Sequence, residues 1–503
     1  MSRRIAISTT LSRAPLGLQA PLVHVEVHVG AGLPAFTIVG LPEAVVRESK
    51  ERVRSALATT GLEFPNGRIT VNLSPADLPK EGGRFDLPIA LGILTATGQL
   101  PRGALDGREL YGELSLGGAL RETAKLLPAL VAGAADGREL IVPAANALEA
   151  SLARSPRIRT ATHLLQICAA LKGEAALPLV EPAARACAAQ LPDLADVRGQ
   201  FGAKRALEIA AAGEHGLLLI GPPGAGKTLI AQRLPGVLPE LSDDEAVEVA
   251  SLESASGRRP SPNLRRPFRN PHHTASVAAL VGGGGFRPGE AALAHRGVLF
   301  LDELPEFARN ALEALREPLE SGVIALARAK RSYEWPAQFQ LVAAMNPCPC
   351  GYFGDARRPC RCTADQVARY RNRVSGPLVD RIDIHVEMRA LPPEALIEDA
   401  PGHVETSAAV ALRVAAARRL QIERQGKLNA RLTAGEVVRI CRLGRDSSAL
   451  LARAIARLGL SARAYHRVLK LARSCADLSN EAQIGATHIA EAIQLRALDK
   501  PIC

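Results

Sequence analysis

The stretch Gly221-Pro222-Pro223-Gly224-Ala225-Gly226-Lys227-Thr228 has the residue types and spacing of a phosphate cradle. Its glycines let the backbone curl so that several N–H groups face an anion at the positive end of a helix. The apolar run Gly216–Ile220 before it reads as a buried strand, and Leu229–Arg233 after it reads as the start of a helix. That strand–loop–helix context separates a cradle from an ordinary glycine-rich turn. In such a loop Lys227 neutralises the β- and γ-phosphates, and the Thr228 hydroxyl serves Mg²⁺. The chemistry expected here is binding of a nucleoside triphosphate.

Hydrolysis needs a second set of groups. The run Gly297-Val298-Leu299-Phe300-Leu301 ends in Asp302 and Glu303. Beside a phosphate loop, the first acid is expected to hold the metal and its water shell, the second to polarise the attacking water. A third apolar run, Phe339–Met345, ends in Asn346-Pro347, which puts an amide where it can orient the same water. Directly after it come Cys348, Cys350, Cys360 and Cys362, two C-x-C pairs. Four thiolates so close in sequence can close a tetrahedral shell around Zn²⁺, although structural zinc sites more often use C-x-x-C knuckles. Reduced free thiols and a reversible redox clip fit the same pattern.

The elements that must position these groups follow from length and pattern. At 503 residues the chain is too long for one core, so two to four domains are expected. A hydrophobic content of 47% with alternating apolar runs predicts globular structure throughout. There is no run with the length and apolarity of a membrane span and no apolar signal core, so the expected address is the cytoplasm without membrane contact. The net charge of +11, from 62 Lys and Arg against 51 Asp and Glu, permits a polyanionic partner. With only 3% aromatic residues there are few base-stacking candidates, so a nucleic acid would be held mainly by its phosphates. Residues 1 to about 172 alternate strand and helix patterns: Val23–Val29 has period two, Glu43–Thr59 helical spacing, and Arg68–Leu73 reads as another strand. A Pro- and Ala-rich linker is expected over 173–192, a mixed α/β core over 193–395, and a helical region over 405–503.

Taken together, these motifs resemble the Walker A, Walker B and sensor 1 elements of AAA+ ATPases. Further stretches narrow the resemblance: Arg269-Asn270-Pro271-His272-His273-Thr274, Pro288–Gly297, Ser375–Asp383, Asn72–Gly82 and Leu460–Tyr465. They are similar to the magnesium-chelatase-like ATPases of the ComM/YifB family, and the resemblance runs over nearly the whole chain. It implies an α/β fold with three parts: a Lon-protease-like α+β domain, a AAA+ parallel-sheet P-loop core and a C-terminal helical lid. It further implies a homo-oligomer, in that family a hexameric ring, with ATP and Mg²⁺ at the subunit junctions. Arg381 then corresponds to the arginine finger that reaches a neighbour's γ-phosphate, and Arg463 to the sensor 2 arginine. Fixed guanidinium groups suit the negative charge spread by phosphoryl transfer. Val197–Gln200 matches the segment bordering the adenine.

The segment Gly322–Pro336 resembles a channel-facing β-hairpin, with Arg328, Lys330 and Arg331 at its tip for a DNA backbone. The N-terminal part has Arg84 where Lon proteases carry their serine, and the lysine partner expected near Thr123 is missing. Acyl-enzyme chemistry then has no route. The resemblance gives His272 and His273 no derivable role. The function implied is that of a branch-migration helicase acting on recombination intermediates in natural transformation. An alternative is a chelatase-type motor subunit with a protein or porphyrin client.

Overall fold

The computed structural model describes residues 6–182, 191–262, 265–283, 287–328, 331–355, 357–390, 405–458 and 461–496. The chain forms two compact units, Met1–Cys187 with Asp243–Leu264, and Ala188–Ser242 with Arg265–Cys503.

The first unit is built on strands β1 (Ala6–Arg13), β2 (Leu22–Gly30), β3 (Ala35–Val39), β4 (Arg68–Ser74), β5 (Arg108–Leu110), β6 (Glu113–Leu114), β7 (Leu120–Arg121), β8 (Glu139–Pro143) and β9 (Ile158–Ala161). Seven of them form one mixed sheet in the order β3-β4-β2-β1-β5-β8-β9. The period-two pattern of β2 is a burial pattern: Val23, Val25 and Val27 point into the core, whereas His24 and Glu26 face out. The helix Asp86–Ala96 lies on this sheet and is buried along almost its whole length, hence its continuously apolar sequence. It approaches so closely that a Cβ at Gly92 would stand 2.6 Å from Val27 Cγ2.

Arg84 opens onto none of the chemistry of a nucleophile. It is buried, and its Nη2 donates to the carbonyls of Ala124 (2.6 Å) and Lys125 (3.2 Å). Burial pulls its pKa down to about 10. The first unit also takes in the helix Asp243–Ala255, which in sequence falls inside the stretch expected for the ATPase core. Ala250 packs with Leu127 and Leu152, and Ser254 Oγ donates to Glu149 Oε1 at 2.6 Å.

The second unit carries β10 (Leu217–Ile220), β11 (Phe268–Arg269), β12 (Val298–Leu301), β13 (Val323–Arg328), β14 (Arg331–Pro336), β15 (Gln340–Met345) and β16 (Ile384–Glu387). Five form a parallel sheet in the order β11-β12-β15-β10-β16, in register Leu217↔Val342, Leu217↔Ile384 and Val298↔Gln340. Strands β10, β12 and β15 are buried at every position. Helices cover both faces of a parallel sheet, so its strands read as unbroken apolar runs rather than alternating ones. Strands β13 and β14 pair separately as an antiparallel hairpin.

Five helices close the unit: Ser407–Gln425, Ala434–Ile440, Arg445–Leu458, Ala462–Leu478 and Ala486–Gln494. They share one hydrophobic core with the sheet, with Leu471, Ala472 and Cys475 buried alongside Ala206, Ile209 and Ala210 of the helix Phe201–Gly213. A buried polar chain runs through that core. His215 Nδ1 meets Asp383 Oδ2 at 3.1 Å, and its Nε2 meets Ser474 Oγ at 2.7 Å. Desolvation opposes the charge on Asp383, yet Arg467 and His215 hold its carboxyl well below the usual carboxylate range. Among the described residues no helix is long and apolar enough to cross a membrane.

Candidate active site

In an open parallel sheet, ligands sit outside the carboxyl ends of the strands. Strands β10, β12 and β15 are followed directly by Gly221, Asp302 and Asn346, so the sheet order gathers residues more than a hundred positions apart onto one edge. After β10 the chain turns through Gly224 (φ +77°) and Gly226 (φ +88°) and enters the helix Lys227–Ala231. A Cβ at Gly224 would meet nothing within 4 Å, so glycine is needed there for its left-handed backbone and not for space.

Lys227 Nζ donates to the carbonyls of Gly221 (2.7 Å) and Pro222 (3.0 Å) and to Asn346 Oδ1 (3.0 Å). Desolvation lowers its pKa, against the opposing pull of Asp302 and Glu303. An incoming phosphate offers this ammonium anionic oxygens in place of neutral carbonyls. Thr228 Oγ1 donates to Asp302 Oδ2 at 2.7 Å, so a hydroxyl and a carboxylate, both hard oxygen ligands, converge at the residue next to the lysine. The donor set therefore fits a triphosphate with Mg²⁺.

Glu303 sits in the left-handed region (φ +53°), with its N–H donating to Asp302 Oδ1 at 3.0 Å. This bend separates the directions of two adjacent carboxylates. Asp302 faces Thr228, whereas the Glu303 carboxylate lies 3.2 Å from His273 Nδ1. The ring of His272 lies tilted against that of His273 at 4.1 Å between centroids, and its Nδ1 meets Thr274 Oγ1 at 2.9 Å. Sequence reasoning left the histidine pair without a role. The usable signal was position: the pair follows β11, which pairs in parallel with β12 and so delivers its following loop to the same edge. Gln200, in the segment expected beside the adenine, is also left-handed (φ +50°). Its amide donates to the carbonyls of Ala225 (3.0 Å) and Arg389 (2.8 Å), tying that segment to the phosphate loop.

Arg381 and Arg463 are brought together, in a pocket of about 210 Å³ that also presents Arg467, Lys470 and Glu320. None of the residues Gly221–Thr228 lines this pocket among the described residues. Arg381 Nη1 donates to Pro377 O at 2.7 Å, and Nη2 pairs with Glu320 Oε1 at 2.5 Å. Arg467 holds the Arg381 carbonyl at 3.1 Å, so the C-terminal helix Ala462–Leu478 fixes the backbone of this arginine.

The four cysteines after Asn346 converge, with all their sulfurs within 4.8 Å of one another. In the β13–β14 hairpin, Arg328↔Arg331 is the last pair of the ladder. Lys330, expected at its tip, lies outside the described residues.

Comparison with known proteins agrees with this geometry. The family described as magnesium chelatase, subunit ChlI, matches residues 193–396, and its C-terminal counterpart matches 404–496. A third, described as subunit ChlI of Mg-chelatase, matches 25–146. The chain is 49% identical over 502 residues to competence protein ComM of Haemophilus influenzae, covering 98% of each. The chain belongs to the ComM/YifB family. The YifB protein of Escherichia coli is 48% identical over 499 residues, covering 99% of this chain and 98% of that one. The magnesium-chelatase 38 kDa subunit of Rhodobacter capsulatus is 30% identical over 170 residues, which is 30% of this chain and 48% of that one. As a member of this family, the chain is an AAA+ ATPase of the magnesium-chelatase type, whose nucleotide and metal are ATP and Mg²⁺.

Proposed function

We propose that this ComM/YifB-family ATPase is a ring-forming DNA motor that migrates the branch point of recombination intermediates during natural transformation, in the cytoplasm. The observation that carries the reading is the antiparallel hairpin Val323–Pro336 between the acidic strand and the Asn346 strand, closed by Arg328 and Arg331. An excess of eleven positive charges and full-length similarity to a competence protein support it. In this reading Arg328, Lys330 and Arg331 hold DNA phosphates, with little dependence on base sequence. The N-terminal domain (1–172, with a linker over 173–192) is a Lon-like module without proteolysis, followed by the ATPase core (193–395) and the lid (405–503).

Each residue of the crevice has a task in the hydrolytic step. The cradle Gly221–Thr228 binds the phosphates and Lys227 neutralises the β- and γ-oxygens. Thr228 and Asp302 would hold Mg²⁺, which when bound would supply positive charge against the phosphates. Glu303 takes the proton of the attacking water and Asn346 orients that water. His273 holds Glu303 aside until nucleotide arrives. Arg381 and Arg463, gathered in one pocket that among the described residues takes in none of their own cradle, serve the nucleotide of the next subunit in the ring. Cys348, Cys350, Cys360 and Cys362 hold a structural Zn²⁺.

The ATPase rate of the full chain, with and without four-way DNA, tests the motor reading. Branched DNA should stimulate turnover severalfold, and Arg328→Ala with Arg331→Ala should weaken DNA binding equally for all sequences and flatten its salt dependence. Turnover indifferent to DNA would instead point to a protein or porphyrin-bearing client, as the chelatase matches allow.

A mixing experiment tests the role of Arg381. Arg381→Ala should cut turnover by roughly 10³-fold. Adding Lys227→Ala subunits, inactive themselves but with Arg381 intact, should restore part of it. Mixed rings no faster than either variant alone would place the arginine in its own subunit's site.

A further inference from the structure

The loop that carries the four cysteines is also the structural backing of the crevice. Its sulfurs stand 3.4 Å (Cys348–Cys350), 3.5 Å (Cys350–Cys360) and 3.6 Å (Cys348–Cys360) apart. A tetrahedral thiolate shell with Zn–S near 2.3 Å has edges of about 3.8 Å, whereas a disulfide needs about 2.05 Å. The observed separations belong with the shell. Backbone N–H groups also aim at the sulfurs, Phe353 at Cys348 (3.3 Å) and Cys362 at Cys360 (3.4 Å), as outer partners of metal-bound thiolates do.

Three contacts tie this loop to the chemistry. Gly351 (φ +85°) packs so tightly on the phosphate loop that a Cβ there would stand 2.6 Å from Pro223 Cδ and 3.9 Å from Asn346 Cγ. Cys348 is two residues beyond Asn346, the acceptor of Lys227. On the far side, Cys362 leads directly into the Thr363 cap of the helix Ala364–Arg371, and Arg371 Nε returns to Pro347 O at 3.1 Å. The ring of Phe353 lies under the Arg371 guanidinium at 5.5 Å.

We infer that Zn²⁺ bound by Cys348, Cys350, Cys360 and Cys362 makes this loop a brace that holds Pro223 and Asn346 in place for ATP, so that loss of the metal impairs nucleotide binding and turnover. The inference rests on the reading of the four thiols as a zinc site and adds its link to the ATP crevice. Without the ion, the loop has few residues of its own to bury and little to hold it against Pro223. Metal binding then acts as local folding energy.

The test separates site from brace. Metal content of the purified full chain is measured by atomic spectroscopy, before and after displacement by a mercurial, and affinity for a fluorescent ATP analogue is read in parallel. The expected result is one zinc per chain, lost in the Cys350→Ser, Cys360→Ser variant together with much of the nucleotide affinity. Gly351→Ala leaves every thiolate in place but pushes on Pro223. It should keep its zinc and lose turnover by on the order of tenfold to a hundredfold. A wild-type chain that takes up no stoichiometric zinc even on reconstitution would overturn the site itself. Zinc-replete wild type, metal-stripped protein and Gly351→Ala all binding and hydrolysing ATP alike would overturn the brace and leave the site standing.

Discussion

Glu303→Gln should leave ATP bound and stop its hydrolysis. The Glu303 carboxylate stands 3.2 Å from His273, and the cradle residues Lys227 and Thr228 make their hydrogen bonds to other partners, so its removal breaks no hydrogen bond of those two residues. Glutamine has the same volume and tolerates the backbone there about as well as glutamate, but it cannot accept the water's proton. Loss of a general base costs about 10²–10⁴ in turnover. Single-turnover hydrolysis should therefore fall by that factor, while the Kd for a fluorescent ATP analogue stays within a few-fold of wild type. Turnover within tenfold of wild type would mean that another group activates the water, and Glu303 would have to be reassigned as a positioning residue.

Lys227→Ala should fail one step earlier, at binding. The ammonium is the donor for Gly221, Pro222 and Asn346, and desolvation lowers its pKa against the pull of Asp302 and Glu303. Truncating one side of a buried charged contact costs about 2–5 kcal/mol, roughly thirtyfold to several-thousand-fold in Kd. Equilibrium titration with the same analogue would show that loss, and ATP-dependent activity would vanish with it. The two variants thus divide the site into a binding half and a chemical half. A Lys227→Ala chain with unchanged affinity would show that the cradle amides suffice and that the lysine acts only in the transition state.

His273 links these two results. A carboxylate paired with a neighbouring imidazole is poorly placed to take a proton from water, and the loop carrying His273 follows β11, the edge strand of the sheet. The same connection runs back to the helix Asp243–Ala255, which belongs to the first unit. The segment between the cradle and the acidic strand therefore passes through the first unit before returning to Glu303.

The sequence by itself determined which residues have the right chemistry. The cradle, the Asp302-Glu303 pair, Asn346 at its strand end and the two C-x-C pairs are each legible within a short stretch, and the strands behind the first three are unbroken apolar runs. Local patterns of this kind follow from period and backbone preference, which are properties of a few neighbouring residues. The α/β class and the family were legible for the same reason. Only the tertiary structure decided what those residues face. The order β11-β12-β15-β10-β16 sets Thr228 against Asp302 and Lys227 against Asn346. The contact of His273 with Glu303, the shared pocket of Arg381 and Arg463, and the seat of Gly351 on Pro223 have no counterpart in any local motif. Each depends on strands or helices far apart in sequence, whose pairing is fixed by burying two faces of a sheet at once, and that choice is made by the packed core as a whole.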